Sequence, residues 1–139
     1  MHSLFSMIRT PNDVPGAIAR LRMEGIIESD KHEQQTLKLV NWALKHPQVK
    51  EWFSGKWSLY NECAILYREN GELQTRRPDR VMMKNGEVIV VDFKFGKPYP
   101  EYNIQVKEYM DLLHGMGYEQ VSGYLWYVFY NQLEKYEIL

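Results

Sequence analysis

The chain has 139 residues, enough for one domain with a real core. It is 45% hydrophobic and 25% charged, as ordinary globular proteins are, and its formal net charge of −1 gives no global basic field of the kind that marks many nucleic-acid binders. One cysteine, Cys63, rules out an intrachain disulfide and disfavours a Cys-based zinc site, and no apolar run approaches the ~20 residues of a membrane span.

In chain order, the first half reads as helical. "HSLFSMIR" makes one or two turns, broken by "TPNDVPG". A short helix follows over 17–25, with Gly25 as its stop. Asp30 and Glu33 fit a D-x-x-E variant of the capping box. The helix behind them carries Leu37, Val40, Trp42 and Leu44 on its apolar turns and ends at Pro47. "PQVKEWFSG" is another short helix, with Pro at its start and Gly at its end.

The second half changes character. Residues 57–67 read as a strand. Residues 81–83 and 87–93 flank Asn85-Gly86, a strong two-residue hairpin signal. Residues 99–116 are helical, with Tyr102, Val106, Tyr109, Leu112, Leu113 and Met116 at helical spacing. "VSGYLWYVFY" and "KYEIL" are two more strands around Asn131-Gln132. The expected fold is α/β in the α+β sense: a central mixed sheet flanked by helices, with a helical part over 1–56 and a sheet-containing part over 57–139.

The hairpin carries the chemistry. With Asn85-Gly86 as the loop, Met83 pairs with Val88 and Val81 with Val90, so the same register sets Asp79 opposite Asp92. Their Cβ atoms are then roughly 4.5–5.5 Å apart, and like charges at that spacing need a proton, a cation or a metal ion. Lys94 is two residues beyond Asp92 and shares its face. Two carboxylates and an ammonium there suit Mg²⁺ or Mn²⁺. The same triplet equally reads as a strand-end Asp neutralised by a neighbouring Lys. Ile89, Val91 and Phe93 on one face of this strand, with Val88 and Val90 on the other, mark it as central in its sheet.

Pro78-Asp79, twelve intervening residues and Asp92-Phe93-Lys94 resemble the signature of the PD-(D/E)xK nuclease superfamily. More narrowly the chain looks like the RecB-type nuclease domain at the C-terminal end of UvrD/Rep-like and AddAB-type helicases. Gln105 and Tyr109 match that family's Q-x-x-x-Y motif, Glu62 its acidic residue on the preceding strand, and His2 its histidine on an early helix. The resemblance implies a restriction-endonuclease-like core and metal-dependent hydrolysis of DNA, single-stranded or at a duplex end. It further implies helicase domains as partners in cis or in trans, in DNA repair or recombination. Asp79, Asp92, the Phe93 carbonyl and His2 would hold Mg²⁺ or Mn²⁺. Asp79, Asp92, Lys94 and Glu62 are the catalytic set, and Gln105 and Tyr109 contact DNA or support the hairpin.

Arg76, Arg77 and Arg80 are the one dense basic cluster near the motif and are expected to hold phosphates, or simply to be solvated. His32, His46 and His114 read as surface residues near helix ends, and Cys63 as a small buried residue. The aromatic run Tyr124, Trp126, Tyr127, Phe129 and Tyr130 suits base stacking, or better a buried strand. A cytoplasmic location without membrane contact is expected, and the chain is expected to be a fragment of a larger helicase–nuclease. Two other readings remain: a nuclease-like fold that has become a non-catalytic binding or structural module of a helicase assembly, and an unrelated α+β interaction domain.

Overall fold

A computed structural model describes residues 2–60 and 65–138, which fall into two compact units dividing between Trp57 and Ser58. The first unit is helical: α1 (His2–Met7), a 3₁₀ turn (Pro11–Asp13), α2 (Val14–Met23), α3 (Asp30–Ala43) and α4 (Pro47–Trp52). Arg9 Nη2 donates to the Gly55 carbonyl at 3.0 Å, tying the end of α1 to the chain beyond α4. The Asp13 carboxylate accepts from the amides of Thr10 and Arg9, and these bonds to the charged form hold its pKa below the usual value.

Three details differ from the sequence reading. α2 begins at Val14, because Pro15 is tolerated in a first turn. α3 is capped by Ser29, whose hydroxyl accepts from the His32 amide at 3.0 Å, so Asp30 is the first helical residue and no Asp30–Glu33 box forms. Its buried stripe is Thr36, Val40 and Ala43, at i, i+4 and i+7, which leaves Trp42 45% exposed.

The second unit is built on a mixed five-stranded sheet in the order β1-β4-β5-β6-β7, with a two-stranded ribbon, β2-β3. The strands are β1 (Ser58–Leu59), β2 (Ile65–Glu69), β3 (Glu72–Arg76), β4 (Arg80–Lys84), β5 (Glu87–Lys94), β6 (Gln120–Tyr127) and β7 (Gln132–Glu137), with α5 (Glu101–Gly115) between β5 and β6. The strand expected over 57–67 is therefore two strands in different sheets, and β3 is an addition. The β2-β3 and β4-β5 hairpins both turn on Asn-Gly. Asn85 and Gly86 have φ of 52° and 83°, the two positive values that a type I′ turn needs.

β5 is central, as its double-sided apolar sequence requires. It pairs antiparallel with β4 and parallel with β6. A parallel pair needs a crossover, and α5 supplies it. α5 lies on the sheet face that carries Val81, Val88, Val90, Val121 and Leu125, and buries Val106, Tyr109, Met110 and Leu113 against them. Gly123 lets it come close. A Cβ there would stand 2.8 Å from Val106 Cγ1 and 2.6 Å from Met110 Sδ. The other sheet face holds Arg80, Met82, Ile89, Val91, Phe93 and Trp126, all buried, with Phe93 and Trp126 in edge-to-face contact at 5.6 Å. Among the described residues no helix is long and apolar enough to cross a membrane.

Candidate active site

The ladder between β4 and β5 stops at Arg80↔Val91. The same register sets Asp79 across from Asp92 and Pro78 across from Phe93. Pro78 has no N–H to continue the ladder. The Phe93 amide instead donates to Asp79 Oδ2 at 2.8 Å. The Asp79 amide in turn points at Asp92 Oδ1, 3.3 Å away. Each aspartate is thus positioned by the main chain of the other strand. A proline that ends one strand early is the local reason the Phe93 amide is left for the Asp79 carboxylate. N–H and C=O of one strand residue leave from the same edge, so the Phe93 carbonyl faces the side where Asp79 stands.

Asp92 is 3% exposed. Alternation puts Lys94 on its face, and Lys94 Nζ lies 4.0 Å from Asp92 Oδ2. Two α5 residues complete the setting of the ammonium. It lies 4.2 Å from the centre of the Tyr102 ring and 3.5 Å from Gln105 Oε1. A desolvated cation over a ring is held by roughly 2 kcal/mol. Lys94 is therefore aimed by a carboxylate, a ring and an amide, which keeps a flexible side chain near one place.

The candidate residues sort clearly. Asp79, Asp92, Phe93, Lys94 and Gln105 come together. Tyr109, one helical turn past Gln105, is 4% exposed and belongs to the apolar cluster of Val81, Val88 and Val90, so it supports the hairpin from inside. Arg77 is exposed. Arg80 is not a surface phosphate contact: alternation along β4 turns it to the face away from α5, where it is wholly buried and its Nε lies 3.2 Å from Met82 Sδ. Glu62, Cys63 and the Arg76 side chain lie outside the described residues. His2 is an exposed residue of α1, in the first unit. Tyr102 was missed as a site residue, although it stands three positions before Gln105 and so on the same helix face. Of the aromatic run, Tyr124, Trp126 and Tyr127 are buried strand residues, and only Phe129 and Tyr130 are exposed.

Hard carboxylate oxygens joined by a main-chain carbonyl fit a divalent cation such as Mg²⁺ or Mn²⁺. Among the described residues no three His, Cys, Asp or Glu side chains gather into a metal-binding group, so the side-chain donors on hand are the two aspartates.

Among the described residues, two cavities lie near the site. One, of about 340 Å³, is lined by Tyr102, Ile104, Gln105, Glu101 and Glu108; its two glutamates disfavour a phosphate there. The other, of about 270 Å³, lies between residues 98–103 and strands β6 and β7, with Tyr99, Leu125, Tyr127, Glu134 and Tyr136 in its wall. Burial first, and then Glu134, push the Tyr127 hydroxyl above its ordinary pKa.

Compared with models of known protein families and with curated protein sequences, the chain matches none.

Proposed function

We propose that the chain is a metal-dependent DNA nuclease acting in the cytoplasm. The supporting observation is the convergence of Asp79, Asp92 and Lys94 at one strand edge, with Lys94 Nζ 4.0 Å from the Asp92 carboxylate. Asp79, Asp92 and the Phe93 carbonyl would hold Mg²⁺ or Mn²⁺. When bound, the ion supplies Lewis acidity at a phosphoryl oxygen and makes water more acidic. Lys94 orients the attacking water or stabilises charge growing on the phosphate as an ammonium, or takes the water's proton in its neutral amine form. Gln105 and Tyr102 keep that ammonium in place. Arg77 is the exposed cation closest in sequence to the motif and is suited to a flanking phosphate. The resemblance favours an exonuclease working with UvrD/Rep-like or AddAB-type helicase domains in repair or recombination. The net charge of −1 agrees with a motor that supplies most of the DNA affinity.

The test is calorimetric titration with Mn²⁺, followed by cleavage of linear single- and double-stranded DNA. Asp92→Asn is expected to lose metal binding and cleavage together. Lys94→Gln is expected to keep the metal and lose roughly 10²–10⁴-fold in rate. Wild-type chain that binds no Mn²⁺ and cuts no DNA would sink the nuclease reading and favour a non-catalytic module.

A further inference from the structure

The 270 Å³ cavity one strand beyond Asp92 is unused by the reaction just described. Its place in the sheet is fixed by register. Asp92 pairs with Leu125, and Leu125 with Glu134, so these residues form one row across three strands. Glu134 is then two strand spacings, roughly 10 Å, from Asp92. Lys94 pairs with Tyr127 in the next row. The wall is continuous from the lysine outward, since the Tyr102 ring under Lys94 meets Tyr99 edge-to-face at 5.5 Å. The cavity offers the rings of Tyr99 and Tyr136, the buried Tyr127 in its wall, and one carboxylate, Glu134, already oriented by the Tyr136 hydroxyl at 2.7 Å.

We infer that this cavity receives one unpaired nucleobase, guanine by preference, from the strand whose phosphate lies at Asp79, Asp92 and Lys94. The inference rests on the nuclease reading for the position of that phosphate. Tyr99 and Tyr136 provide stacking surface, and every base has a π-face to stack. The volume is just under the ~300 Å³ at which pockets for drug-sized ligands begin, so a single base fits and a base pair does not. Selection comes from Glu134. Guanine alone presents two adjacent N–H donors, N1–H and N2–H, to the two oxygens of a carboxylate. Thymine has one N–H between two carbonyls that a carboxylate repels. The donors read are on the Watson–Crick edge, so the base must be unpaired. Tyr127 and Asn103 remain as donors for the guanine acceptor edge.

The experiment is an NMR titration of the full chain, without metal, with dGMP, dAMP, dCMP and TMP in turn, and separately with tetramethylammonium. The expected result is dGMP binding about tenfold or more tighter than TMP, with shifts at the amides of Tyr99, Leu125 and Glu134. Glu134→Gln, at an exposed position, is expected to erase that preference without changing the thermal midpoint. Tyr99→Ala is expected to weaken all four nucleotides alike, by about fivefold or more. Equal affinity for the four, no binding, or shifts confined to other residues would overturn the inference. Tetramethylammonium shifting these amides where no nucleotide does would also overturn it, making the cavity a cage for an organic cation. Selective dGMP binding by a chain that cuts no DNA would sink the nuclease reading and leave the base site standing. Cleavage indifferent to guanine and to Glu134→Gln would do the reverse.

Discussion

Two hairpins in this chain turn on the same dipeptide and meet opposite fates. Asn70-Gly71 joins β2 to β3 with φ of 53° and 79°; Asn85-Gly86 joins β4 to β5 with 52° and 83°. In the first ribbon Leu66 and Leu73 are 62% and 63% exposed. In the second, Val81, Met82, Val88 and Val90 are all buried to 1% or less. The turn decides only that the chain reverses. Whether the ribbon becomes the middle of a sheet depends on what its strands can bury, because a lone hairpin is marginal in water. "EVIVVDFK" is apolar on both faces and can sit between β4 and β6, whereas "ELQTR" spaces its single leucine among polar residues.

Substitutions should separate the two hairpins, in descending order of effect. Met82→Ala removes a wholly buried side chain from the central hairpin and should cost ~2–5 kcal/mol in urea unfolding. Gly123→Ala tests how closely α5 covers that hairpin's sheet. Met110 is flexible and can yield, but Val106 is stiff at χ1, so a loss of about 1–3 kcal/mol is expected. Gly86→Ala and Gly71→Ala each force an L-residue into the left-handed region, at about 1–2 kcal/mol locally. The Gly86 change should lower global stability by that amount, while the Gly71 change should appear mainly as faster amide exchange in β2 and β3. Equal losses of global stability would mean that both hairpins unfold as one cooperative body. Leu73→Ala should stay within roughly 0.5 kcal/mol of the parent.

Much of this was legible in the sequence. Asn85-Gly86 set the register, and the register put Asp79 at Asp92 and Lys94 on Asp92's face. The helical spacing of Val106, Tyr109 and Leu113 announced α5 and the face it buries. What escaped has physical causes. Asn70-Gly71 carried the same signal as Asn85-Gly86, but the polar "ELQTR" that follows it does not look like a strand. Trp42 looked like a core residue by type, and the Thr36–Val40–Ala43 stripe outranked it by spacing. Arg80 read as surface by its charge, while its parity along β4 put it inside. Pro78 was visible as part of a motif, yet its effect, ending the ladder so that Asp79 takes the Phe93 amide, needed the strand geometry.

β7 is the outermost strand on its side of the sheet, and Gln132, Glu134, Lys135 and Glu137 along it are exposed. The Lys135–Glu137 pair, at 3.0 Å and open to water, adds little to stability. Its worth lies elsewhere. An open strand edge is a template on which another chain can add a strand, and a polar, charged row makes that addition unfavourable. The carboxylate proposed to read a base thus belongs to the strand that also guards the molecule against self-association. A change there made to alter recognition, such as replacing the row with threonines and valines, would be felt first as fibre growth in concentrated solution.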